Sequence, residues 1–226
     1  MAFPVVETTA TTATAAGTSH TVTLPTGIAN GDLLIIFGGS NTNTTFGYPA
    51  GWTELWDAGG GTAAGSGAFR RADGGEGASV TVTTAASAQC GWVAYRISGH
   101  HTTSDPEDAV AATGVGTTPD PPSTPASWGT EDNLWLAGGA HDNTTVNTAP
   151  TNYTNLLSAS ANGTAYSSRR ALAATTENPG TFGVGTSDDW ITNTIVIRPA
   201  AAAGDTQEWF GCKPVLPMRT VTHIGY

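Results

Sequence analysis

The sequence predicts an all-β protein: a jelly-roll-like antiparallel β-sandwich built from an internally duplicated motif, with an extended N-terminal arm and a C-terminal tail. Three observations carry this. Short β-type runs alternate with clusters of Gly, Pro, Asn and Asp, helped by 29 glycines and 13 prolines. No segment holds a helical period over three turns. One stretch of text occurs twice: GDLLIIFGGSNTNTT at 31–45 returns as EDNLWLAGGAHDNTT at 131–145. Asp32, Leu34, Gly38, Gly39, Asn43, Thr44 and Thr45 align with Asp132, Leu134, Gly138, Gly139, Asn143, Thr144 and Thr145. Further on, Arg70-Arg71 answers to Arg169-Arg170 and Glu76 to Glu177.

Element by element, residues 1–19 are Thr/Ala-rich and read as an extended, partly ordered arm. Residues 20–199 form the sandwich, with repeat copies at 20–98 and 120–198. In the first copy, strands are expected at 20–24, 32–38, 52–56, 67–72, 79–84 and 91–98. Residues 20–24 and 79–84 alternate, 32–38 is a buried apolar run, and 91–98 is rich in β-branched and aromatic residues. The second copy predicts strands at 134–139, 153–157, 165–172, 181–185 and 190–197. The alanines between 159 and 174 lack an apolar stripe, which argues against a helix. Residues 100–127, rich in Pro, Asp, Gly and Thr, are either an inter-domain linker or a long crossover. Each copy alone has few large apolar residues, so a single sandwich sharing one core is favoured over two in tandem. Residues 200–226 are a linker and a docking tail, with Trp209, Phe210 and Tyr226 as the expected interface anchors.

Composition narrows function. Charged residues are only 12%, the net charge is −10, and Lys213 is the one lysine. Soluble domains average roughly 25% charged, so Thr, Ser, Asn, Ala and Gly must cover the surface. Without a basic stripe, neither nucleic acid nor an anionic membrane is an expected partner. The start, MAFPVVETTATTATAAG, lacks a basic segment followed by an apolar core, so no signal peptide is expected. No apolar run approaches the ~18 residues of a membrane helix. Cys90 and Cys212 are read as free thiols, with a single disulfide as the alternative.

Candidate sites are few. The arginine doublets offer recognition of an acidic sugar or carboxylate; the repeat favours a structural role instead, with the inward-pointing arginine of each pair satisfying a buried acid such as Glu76 or Glu177. His100-His101 with Asp105, Glu107 and Asp108 offers nitrogen and oxygen ligands for a metal, as do Asp142 and Asp188-Asp189, but the spacing matches no known loop. Asp57, Asp73 and Glu76 supply carboxylates without a distinctive glycosidase pairing. There is no Gly-x-Ser-x-Gly elbow and no phosphate loop. No catalytic, cofactor or metal residue is therefore assigned, and no enzyme is expected. Of the tryptophans, Trp92, Trp135 and Trp190 read as core. Trp52, Trp56 and Trp128 are candidates for stacking on sugars, with core anchoring the commoner role.

The runs SHTVTLPTGIANGDLLIIF, PAGWTEL, FRRADGGEGASVTVTT and VAYRISG, followed by PPSTPASWGTEDNLWLAGGAHD, APTNYTNLL, SSRRALAATTENPGTF and WITNTIVIRP, resemble a family of virion-associated proteins of tailed bacteriophages. The resemblance covers about residues 18–199. It implies a β-sandwich displayed on a virion as a tail-fibre, spike or capsid-decoration component, made in the host cytoplasm. The implied partners are other virion proteins and further copies of the chain. A host surface glycan is the ligand of the alternative reading, a carbohydrate-binding module.

Overall fold

The computed structural model describes residues 1–142 and 145–202, and every strand in it pairs antiparallel. The first half of the chain supplies β1 (Val5–Thr23), β2 (Leu33–Ser40), β3 (Phe46–Gly47), β4 (Thr53–Gly60), β5 (Ala63–Arg71) and β6 (Ser79–Ser98). The connection and second half supply β7 (Glu107–Asp108), β8 (Ala112–Gly116), β9 (Thr124–Pro125), β10 (Glu131–Asp142), β11 (Val146–Thr148), β12 (Thr154–Ala161), β13 (Gly163–Ala174), β14 (Thr176–Glu177), β15 (Gly183–Val184) and β16 (Asp188–Ile197).

Each half builds one sheet. The first is ordered β1-β6-β2-β5-β4, with β3 also on β6; the second is ordered β12-β13-β10-β16-β7, with β8 also on β16. Strand order therefore matches: β4, β5, β2 and β6 have topological counterparts in β12, β13, β10 and β16. The sheets stack face to face, with β1 against β12 at one edge and β4 against β16, β7 and β8 at the other. The antiparallel sandwich agrees with the sequence. The jelly-roll winding is not what this strand order displays, because a jelly roll winds two Greek keys through both sheets, whereas here each sheet is completed by its own half.

The central core joins the halves. Leu33, Ile35, Phe37, Phe69, Val93, Tyr95 and Ile97 meet Leu134, Leu136, Ala165, Ile191, Ile195 and Ile197 in one buried cluster. Because strand side chains alternate, the other face of each sheet carries a cluster of its own. Ile36, Phe46, Val82 and Trp92 lie outside the first sheet; Trp135, Tyr153, Tyr166 and Phe182 lie outside the second.

The ladders test the expected alignment of the two halves. Leu34 stands between Arg70 and Arg96, and the residue standing between Arg170 and Val196 is Trp135. The literal alignment of Leu34 with Leu134 is thus one residue out of step, and one residue turns a side chain to the opposite face. In the corrected register Arg170 answers to Arg70, and Arg169 answers to Phe69.

One further expectation changes, and one open alternative is decided. The partly ordered arm at 1–19 gives way to β1, which pairs with β6 from Val5 to Thr23 through several register shifts. Thr and Ala alternate well enough to line a half-covered edge strand. Residues 100–127 form a crossover, since β7 and β8 within them pair with β16.

Candidate functional site

The arginines organise the charged chemistry. Arg70, on β5, donates from Nε to Glu76 Oε1 at 3.0 Å, and Arg170, on β13, donates from Nη1 to Glu177 Oε1 at 2.8 Å. Arg96 Nε reaches Asp32 at 2.6 Å, at the entry to β2; Arg198 Nη2 reaches Glu131 at 2.7 Å, at the start of β10. The two Arg198–Glu131 hydrogen bonds hold the Glu131 carboxyl below its ordinary range. Arg71 pairs with Asp105 and lies over the Phe69 ring. Glu76 and Glu177 are each held by an arginine as the sequence suggested, but by Arg70 and Arg170 on the outer faces of the sheets; the inward members of the doublets are Arg71 and Arg169. Glu76 also accepts from the backbone N–H of Asp73 and Gly74, so it closes the glycine-rich loop after β5.

Arg169 differs. It faces inward beside Leu136, and Asn155, with its amide oxygen turned to the guanidinium, accepts from Nε at 2.9 Å and Nη2 at 2.8 Å. It lines a groove of about 230 Å³ with Pro4, Val5, Val6, Leu134, Thr154 and Ala171.

The candidate metal ligands are not brought together. His100 places its ring nitrogens 2.9 Å from the carbonyls of His101 and Gly31, while His101 Nδ1 accepts from Ser104 N–H. Asp105 is held by Arg71, Glu107 accepts from Ser127 N–H, and Asp108 accepts from Asn193. At the far end, Thr62 donates to both Asp142 and Asp189. Among the described residues no group of three His, Cys, Asp or Glu is placed to hold a metal ion.

The carboxylates named from sequence separate as well. Asp73 and Glu76 share Arg70. Asp57 lines a different groove, of about 530 Å³, with Glu54 and Asp108. Burial raises all three carboxyls, and Asp57 adds to the shift at Glu54. Sequence reasoning missed this trio because Asp108 arrives from the crossover.

Two buried polar centres complete the inventory. His20 contacts Thr14 Oγ1 at 2.9 Å and Thr84 Oγ1 at 3.1 Å, with Cys90 Sγ 3.7 Å away. Burial pushes the Cys90 thiol up to about 12, so the Cys-His pair is inert packing and not a nucleophile. His141 is fully buried, has neither ring nitrogen partnered among the described residues, and lies against Tyr166.

Trp92 and Trp135 are fully buried and Trp56 nearly so, whereas Trp190 is only half-buried. Trp52 stacks on Tyr48 and Trp128 donates to Asn133; both are half-buried. Cys90 is a free thiol. Cys212 and the interface anchors Trp209, Phe210 and Tyr226 lie outside the described residues. No protein-family model, curated protein or solved structure matches this chain.

Proposed function

We propose that this chain is a structural protein of a tailed-phage virion, displayed on the particle surface as a tail-fibre, spike or capsid-decoration component. The observation that carries the reading is where the charge sits. Arginine–carboxylate pairs in both sheets hold strand entries and loops, and a Thr- and Ala-rich exterior with one lysine in the chain is left to face solvent. That is chemistry suited to a durable display scaffold. The resemblance of residues 18–199 to virion-associated proteins points the same way. Other virion proteins and further copies of the chain are its partners in this reading.

The test is quantitative mass spectrometry of purified virions. Copies in the hundreds, relative to the major capsid protein, mean head decoration; a few to a few dozen mean tail or spike. Absence from purified particles overturns the proposal. A second reading, a module that binds host surface glycans, draws on one observation: the guanidinium of Arg169 faces a groove and has no carboxylate partner among the described residues.

A further inference from the structure

We propose that Arg169 forms a subsite for a small carboxylate in the groove beside β1 and β12. The described residues include six arginines. Arg70, Arg71, Arg96, Arg170 and Arg198 each have an Asp or Glu oxygen within 3.0 Å. Arg169 has none among the described residues; its fork rests on the neutral amide oxygen of Asn155. The guanidinium is thereby oriented without being neutralised.

The fold does not account for this residue. Its topological counterpart in the first sheet, Phe69, is buried in the central core. A framework position that accepts phenylalanine needs no charge. The orienting group is held in an unusual way: Asn155 has φ 54°, in the stretch where β12 slips register against β13 between Thr154 and Leu157. Asparagine tolerates this left-handed backbone better than most side chains.

The surroundings choose the ligand. Pro4, Val5, Val6, Leu134 and Ala171 give the groove apolar walls, which strengthen a charge-assisted hydrogen bond relative to open water. On the core side, the buried Tyr95 hydroxyl lies beside Ser167 and near enough to feel the Arg169 charge. One guanidinium in a chain of net charge −10 suits a monoanion and not a phosphate dianion. A carboxylate presents two coplanar acceptors to the remaining N–H groups of the fork. The groove, at about 230 Å³, holds one small unit. The carboxylate can belong to an acidic sugar or to a simple organic acid.

The experiment is calorimetric titration of the full chain at low salt with glucuronate, acetate and neutral glucose. Glucuronate and acetate should saturate a single site and glucose should not. A glucuronate affinity well above that of acetate identifies a sugar acid as the source; equal affinities identify the carboxylate alone. Arg169→Gln should weaken binding by about tenfold or more, while Arg71→Gln leaves it intact. Asn155→Asp provides a second route, because it neutralises the guanidinium without removing it and should abolish binding in a folded protein. Lack of saturation at millimolar glucuronate and acetate overturns the proposal, as does undiminished binding by Asn155→Asp or by folded Arg169→Gln. Neither result bears on whether the protein is found in virions.

Discussion

Glu177 accepts a 2.8 Å hydrogen bond from Arg170 with only 7% of its side chain exposed. Glu76 makes the matching contact to Arg70 at 3.0 Å, with 2% exposed, and adds two backbone N–H donors. A buried carboxylate that loses its cation is left uncompensated. Arg70→Met and Arg170→Met should each lower unfolding stability by about 2 kcal/mol, discounted for the partial exposure of the arginines. Glu76→Ala should cost more than Glu177→Ala, because it also frees the loop at Asp73 and Gly74. Urea denaturation of the four variants checks the order.

The sheets touch backbone to backbone at one end. A Cβ on Gly91 would lie 2.0 Å from Ala159 O and 2.7 Å from Ala165 N; one on Gly39 would lie 2.3 Å from Thr164 O. These obstacles are main chain in the opposite sheet and cannot rotate aside. Gly91→Ala and Gly39→Ala should each destabilise by about 2 kcal/mol or more. Gly17→Ala, whose Cβ would meet nothing nearer than 3.8 Å, should stay within about 0.5 kcal/mol of the parent. Thermal melts of the three variants give the comparison.

Acid should weaken the fold through its buried histidines. Burial pushes His141 down to about 4, although Asp188 and Asp189 pull the other way, and burial lowers His20 in the same direction. With the folded value below the unfolded one, the unfolded chain takes up the proton first as pH falls. The contribution is complete above about 6.5 and is lost on descent toward 4. Glu54, Asp57, Asp108 and Asp142, all raised mainly by burial, act oppositely: their folded forms take up protons first and recover stability on acidification. For His141 alone the loss between pH 7.5 and 5 is on the order of 2 kcal/mol. His141→Phe should flatten the stability profile in that window, measured by denaturant midpoints; an unchanged slope would assign the acid sensitivity elsewhere.

The fold class was legible because the apolar run at 33–37, the alternation at 79–84 and the glycine and proline punctuation are local signals. The Arg70–Glu76 and Arg170–Glu177 contacts were legible because both partners recur at similar spacing. The facing of the repeat was not, since matched letters at Leu34 and Leu134 carry no statement of which side of the sheet they occupy. That slip concealed the difference between Arg169 and Arg170, which look equivalent as a doublet. The trio of Glu54, Asp57 and Asp108 stayed hidden because its members come from an edge strand and a connection about fifty residues apart. The edge strand at the N-terminus was missed because a Thr/Ala run has no apolar stripe, and its order comes from pairing with β6.

The most direct test of the account asks whether either half folds without the other. Each half completes one sheet, yet Ile35, Phe37 and Tyr95 share their core with Leu136, Ile191 and Ile195. Separate fragments spanning residues 1–105 and 106–202 each leave that face open to water, an exposure too large for a stable monomer. Differential scanning calorimetry should show no cooperative transition for either fragment alone, and a single transition when the two are mixed. A cooperative, concentration-independent melt in either isolated fragment would contradict the shared-core sandwich.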